Sequence, residues 1–123
     1  MPKPPTVYMC LSESVAQRVR NTLAGFRLNL VAVPDGETLI ELSRRHPPDL
    51  IILEKEIPKL DGYAVVLLLK TDPKTSRVPV VGICKCFTDA EAEKARDAGC
   101  DDYVCYPLNE EEFKGMIQRY LTR

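Results

Sequence analysis

The sequence has no excess of either charge, no long apolar run and no paired-cysteine motif, and each absence closes off a class of function. Lys and Arg number 17 against 18 Asp and Glu, a formal charge of −1, so it carries neither a nucleic-acid footprint nor a polybasic membrane patch. The longest candidate apolar segment, Ala64 to Leu69, falls far short of the ~20 residues a membrane-spanning helix needs. Met1-Pro2-Lys3-Pro4-Pro5 is not followed by the apolar core of a secretion signal, so the expectation is a cytoplasmic protein. The five cysteines, Cys10, Cys84, Cys86, Cys100 and Cys105, form no C-x-x-C pair. They read as small core residues rather than a disulfide framework. The single histidine, His46, precedes Pro47-Pro48 at a predicted helix end, where an imidazolium complements the dipole. Internal repeats, low-complexity segments and linkers are lacking as well.

What is present is an ordinary globular composition, 45% apolar and 28% charged over 123 residues, sufficient for one domain with a continuous core. Residues 1–5 read as a flexible tail and residues 6–123 as the domain. Short β-branched runs alternate five times with amphipathic stretches. The predicted strands are Thr6–Leu11, Asn29–Val33, Asp49–Leu53, Val78–Cys84 and Asp102–Tyr106. Leu50-Ile51-Ile52-Leu53 and Val78-Pro79-Val80-Val81 are almost continuously apolar, as in a sheet covered on both faces. Pro79 is expected at a strand start, where its missing N–H is harmless.

Between the strands, Val15, Val19 and Leu23 give the first helix a buried stripe. Asp35 caps the second helix, which must stop before Pro47-Pro48. Thr88-x-x-Glu91 is a capping box for the fourth, which Gly99 ends. Asn109 with Glu112 opens the fifth, whose predicted buried face is Phe113, Met116, Ile117, Tyr120 and Leu121. Strictly alternating βα units imply parallel strands, right-handed crossovers and a doubly wound three-layer α/β sandwich. A site in such a sheet lies beyond the C-terminal strand ends, at the switch in strand order.

Several motifs in order carry a family resemblance from Thr6 to Leu121: Asp35-Gly36, Pro48 to Gly62, Asp72-Pro73 before Val78-Pro79-Val80, Ala98-Gly99-Cys100-Asp101-Asp102-Tyr103, and Tyr106-Pro107. The chain resembles the receiver domains of bacterial response regulators. The resemblance implies a flavodoxin-like (βα)5 fold with a five-stranded parallel sheet in the order 2-1-3-4-5. It also implies signal transduction in a two-component phosphorelay rather than enzyme activity.

The same resemblance identifies a phosphorylation pocket whose residues depart from the family's pattern. Glu54 stands at the phosphoacceptor aspartate. Cys10, Leu11 and Ser12 stand where an acidic pair would hold Mg²⁺, and Glu56 lies in the loop after the acceptor. Cys84 replaces the hydroxyl of the fourth strand, and Tyr106 replaces the lysine. Phosphoryl transfer rests on positioning and on charge neutralised by metal and cation. The expectation is therefore a pseudo-receiver: no catalytic residues, no cofactor, and Mg²⁺ binding lost. A receiver that is unconventional but still phosphorylatable is the alternative. Glu54 reads either as a drifted residue or as a permanent mimic of phosphoaspartate, with Lys55, Lys85 or the Tyr106 hydroxyl to balance it; drift is favoured.

Tyr103 matches the family's switch aromatic, with a half-buried, wet tyrosine as the plainer reading. Tyr106-Pro107 is expected to be cis. Cysteines near the C-terminal strand ends leave a redox or metal-responsive module as the alternative of another class. The third helix, from Tyr63 to Lys70, is apolar all round. It buries deeper than usual or presents a contact surface, for which Val66 and Leu67 are candidates beside Tyr103. The partners implied are proteins, a sensor kinase or an output domain, with a possible homodimer, and neither nucleic acid nor membrane.

Overall fold

Among the described residues every strand is followed by a helix, and each of the first four helices crosses to start the next parallel strand. The strands are β1 (Thr6–Cys10), β2 (Asn29–Ala32), β3 (Leu50–Glu54), β4 (Val80–Cys84) and β5 (Asp102–Cys105). The helices are α1 (Glu13–Thr22), α2 (Gly36–Arg45), α3 (Gly62–Thr71), α4 (Asp89–Ala98) and α5 (Glu110–Leu121). The computed structural model describes residues 3–85 and 88–122. All four pairings are parallel, in the order β2-β1-β3-β4-β5, as the alternating pattern requires. The order reverses at β1, so the crevice beyond the C-terminal ends of β1 and β3 is where a doubly wound sheet places its site.

The pleat sends alternate side chains to opposite faces, and two cores result. Val7, Met9, Leu50, Ile52, Val81 and Ile83 pack with Val15, Val19 and Leu23 of the α1 region and Phe113 and Ile117 of α5. Tyr8, Cys10, Ile51, Leu53 and Val80 pack with Leu39 of α2 and Val65, Val66 and Leu69 of α3. Each strand of the continuously apolar pair, β3 and β4, is buried at every position, which is why neither shows alternation in sequence.

Helix starts follow the predicted caps. Asp35, Thr88 and Asn109 accept from the backbone N–H of Thr38, Glu91 and Glu112 at 2.8, 3.1 and 3.1 Å. Gly99 ends α4 with φ at +112°, a left-handed turn that glycine enters without strain. Gly62 answers to a different demand: a Cβ there would collide with the Glu54 carbonyl oxygen. Only a bare Cα lets α3 begin this close to the end of β3.

Strand limits differ from the sequence reading by a residue or two. β4 starts at Val80 rather than Val78, because Val78 closes a turn onto the Thr75 carbonyl and its own carbonyl accepts from Lys70 Nζ at 2.8 Å. Pro79 precedes the strand and still offers its carbonyl to Ile51. At the other end, β3 runs through Glu54, which pairs with Ile83. The Pro5 carbonyl accepts the Asn29 N–H at 2.8 Å, so the ladder begins inside the segment expected to be a flexible tail. The Tyr106-Pro107 bond is cis, as expected.

Candidate functional site

Glu54 ends β3 on the face shared by Leu50 and Ile52, the α1 side of the sheet. Its residue is only 6% exposed, and one carboxylate oxygen, Oε1, accepts the backbone N–H of Ser12 at 2.5 Å. Ser12 is the N-cap of α1 and makes no side-chain cap of its own. In a capping box the N-cap N–H is satisfied by a glutamate three residues into the same helix. Here a glutamate from another strand does that work, and its charge also faces the positive end of the α1 dipole. The second oxygen, Oε2, lies 3.9 Å from Lys85 Nζ, a cation half exposed to solvent.

The carboxylate opens into a cleft of about 600 Å³ lined by Ser12, Glu54, Lys55, Glu56, Ile83, Cys84, Lys85 and Glu91. Of the seven pocket positions singled out in the sequence, four therefore meet there: Ser12, Glu54, Glu56 and Cys84. Three do not. Cys10 turns to the opposite face and is sealed into the α2–α3 core. Burial, followed by the nearby Asp35 and Glu54 carboxylates, pushes its thiol up to about 11. Leu11 and Tyr106 both pack against the α1–α5 core. Tyr106 is not among the cleft's lining residues, and Lys55, which is, pairs with Glu91, so of the three proposed counterparts of Glu54 Lys85 is the one within 4.0 Å of its carboxylate.

Lys55 belongs to a network that sequence reasoning missed. Its Nζ lies 3.3 Å from Glu91 Oε1 and 5.6 Å from the centre of the Tyr63 ring. The Tyr63 hydroxyl donates to Glu91 Oε2 at 2.8 Å. These contacts hold the Glu91 carboxyl below the usual range, the Tyr63 bond first and Lys55 next, and they hold the Lys55 ammonium above its own. Glu91 was expected to close the capping box at α4. Only half of that box forms: Thr88 accepts from the Glu91 N–H, while the Glu91 side chain ties α4 to the loop after β3 and to α3. The capping spacing was legible in sequence; the competing partners, 36 and 28 residues away, were not.

Tyr103 is turned inward. The ring lies over Gly82, its register partner in β4, at ordinary contact distance: a Cβ built there would sit 3.5 Å from Tyr103 Cδ2. The half-buried Tyr103 places its hydroxyl against the Cys84 thiol and the Tyr63 hydroxyl. Burial raises its ionisation well above a free tyrosine's, and Cys84 adds to the shift. Cys84, Tyr103, Tyr63, Glu91 and Lys55 thus form one continuous chain of polar contacts from the cleft to the start of α4.

The contact surface needs one correction. Val66 is fully buried beneath α3, because the helix directs Val65, Val66 and Leu69 to the sheet. Leu67 and Leu68 are the outward pair, 52% and 48% exposed. Of the described cysteines, only Cys84 and Cys105 are seen as neighbours, register partners on β4 and β5; Cys10 and Cys84 lie on strands separated by β3, and Cys86 lies outside the described residues. Among the described residues no three His, Cys, Asp or Glu side chains are placed to hold a metal ion. No helix among them is long and apolar enough to cross a membrane.

Comparison with known proteins adds an independent result. Residues 12–118 match the model of the response regulator receiver domain. The polar-differentiation response regulator DivK of Brucella anthropi is 30% identical over 87 residues, 71% of each chain. A putative response regulator from Chloroflexus aurantiacus superposes with a TM-score of 0.91 at 22% identity, covering 98% of this chain and 100% of that one. The receiver domain of a sensor histidine kinase from Pseudomonas aeruginosa, solved with magnesium coordinated in its active-site cleft, gives 0.85 at 22% identity, covering 98% and 99%.

Proposed function

From the premise that this chain belongs to the response regulator receiver domain family, we propose that it signals by protein contact without accepting a phosphoryl group. The carrying observation is the bond from Ser12 N–H to Glu54 Oε1. It commits the carboxylate at the acceptor position to fastening β3 to the start of α1. A group used that way is a fixed structural element, which favours the drift reading of Glu54 over imitation of phosphoaspartate.

The donor set argues the same way for the metal. Mg²⁺ takes near-octahedral oxygen ligands. At the end of β1 this chain offers a protonated thiol in the core, an apolar leucine and an N–H donor. One buried carboxylate remains, with an ammonium 3.9 Å away. Glu56 is exposed on the loop beyond. These groups do not fit the cation, and no cofactor is required by the reading. The partners are proteins, a sensor kinase or an output domain, met in the cytoplasm. The α4 and β5 surfaces are held in one arrangement by the Lys55–Glu91–Tyr63 contacts rather than by a phosphorylation cycle.

Beryllofluoride with Mg²⁺ tests this reading by NMR. The amides of Ser12, Lys55 and Lys85 are expected to show no saturable shift with both present. Saturable shifts at those amides that require both additives would overturn it.

A further inference from the structure

We propose that Cys84 and Cys105 are a dithiol that closes reversibly to a disulfide, and that closure draws Cys84 away from the Tyr103 hydroxyl. The two are register partners at the C-terminal ends of β4 and β5. The Tyr106 N–H donates to the Cys84 carbonyl at 2.8 Å, so the ladder holds the pair level. Paired residues on neighbouring strands stand about 4.8 Å apart, within the Cα–Cα span of roughly 4.4–6.8 Å that a disulfide bridges. Ile83 and Val104, the preceding pair, belong to the α1–α5 side of the sheet. The pleat therefore sends both thiols to the opposite face, where Cys84 meets Tyr103.

The other described cysteines do not meet these conditions. Cys10 is separated from Cys84 by β3, two strand spacings or about 10 Å. Cys100 Sγ lies over Gly82, two residues before Cys84 and about 7 Å away along the strand.

The pair is asymmetric, and that orders the chemistry. Cys105 is exposed, whereas Cys84 is buried, so an oxidant of the small-molecule disulfide class meets Cys105 first. The Cys105 thiol gives its proton to solvent, and the thiolate attacks one sulfur of the oxidant, expelling one thiolate. Cys84 then loses its proton, attacks Cys105 Sγ and expels the second. One S–S bond breaks and one forms in the protein. The two cysteines are oxidised, the oxidant is reduced to two thiols, and these take up both protons. Burial, followed by Cys84, raises the ionisation of Cys105, so attack is slow near neutrality and speeds as pH rises. In a reducing compartment the pair rests as thiols.

Cys84 ends the polar chain that runs through Tyr103 and Tyr63 to Glu91. Bonding its sulfur to Cys105 releases that end and encloses α4, Asp89 to Ala98, in a covalent loop. Glu54 takes no part in the step, so this proposal and the reading of the acceptor position stand or fall separately.

The test equilibrates the whole chain, without oxygen, in mixtures of reduced and oxidised glutathione, quenches with acid and maps the thiols by non-reducing peptide mass spectrometry. The folded chain is expected to lose two hydrogens, in a peptide linking Cys84 to Cys105, and to regain them with dithiothreitol. Cys86→Ser should close the same bridge to the same extent, and Cys105→Ser should leave Cys84 a thiol. By NMR, the Tyr103 ring resonances should shift on closure and stay in place in Cys105→Ser. A bridge made through Cys86 instead, glutathione retained on Cys105 without closure, or closure seen only in urea would overturn the proposal. Closure that leaves the Tyr103 ring unmoved would overturn its second half.

Discussion

Replacing Glu54 by glutamine tests whether its carboxylate is a structural fastener, because the amide keeps the shape and removes the charge. A hydrogen bond to a charged acceptor contributes about 1.5–3 kcal/mol and a neutral one about 1 kcal/mol. The Ser12–Glu54 bond therefore stands to lose about 1 kcal/mol or somewhat more. The Lys85 contact, at 3.9 Å with the lysine side chain 52% exposed, adds only a few tenths of a kcal/mol after solvent screening. Relief from burying a charge opposes both. The net expectation for Glu54→Gln is about 1 kcal/mol of destabilisation, a fall in melting temperature of roughly 4 °C for a domain of this size. Glu54→Asp should cost more, although it restores the family's acceptor residue. Withdrawing the carboxylate by one C–C bond, about 1.5 Å, stretches a 2.5 Å contact past hydrogen-bonding distance. Urea denaturation read by circular dichroism measures the losses, and the hydrogen-exchange rate of the Ser12 amide locates them. If both variants matched the parent within about 0.3 kcal/mol, with Ser12 exchange unchanged, the fastening argument would be wrong.

Two further expectations concern protons and thiols. Glu91 titrates below the ordinary carboxylate range because Tyr63 and Lys55 favour its charged form, so its contribution to stability is present above that range. It is lost as pH falls through the range toward the folded value. Stability measured from pH 7 down to pH 3 should therefore fall less steeply for Glu91→Gln than for the parent, and parallel curves would deny the network a role. With its thiol pushed up to about 11, Cys10 should resist iodoacetamide at pH 8 in the folded protein, whereas exposed Cys105 should be alkylated before it. Site-resolved mass spectrometry checks the order, and early labelling of Cys10 would contradict the burial described for it.

The parts of this molecule that were legible in sequence are those decided locally. Caps at Asp35, Thr88 and Asn109, the stop at Gly99 and the apolar runs of β3 and β4 each depend on residues a few positions apart, and the alternation of units fixed the layers. The family motifs then supplied the strand order and the location of the cleft. What escaped depends on distant partners. Nothing near Lys70 in sequence announces that its ammonium will cap Val78 and meet Asp101, 31 residues on, moving the start of β4. Glu91 looked like half of a capping box because the spacing fits, yet a tyrosine and a lysine from other elements claim its side chain. Val66 was misassigned for a related reason: a helix apolar on all sides has no sequence-visible inner face, and only packing shows that Val65, Val66 and Leu69 point inward. At Glu54 the reverse held. Its departure from the family's pattern was plain, but which neighbour it would engage was settled only by the register of β3 beside β1.

Intact-protein mass spectrometry after incubation with acetyl phosphate and Mg²⁺, beside a receiver domain that has the family's aspartate, tests the central claim most directly. The account predicts that the reference gains a phosphoryl group while this chain keeps its mass over the same interval. A stoichiometric gain by this chain that depends on magnesium and vanishes in Glu54→Gln would contradict it.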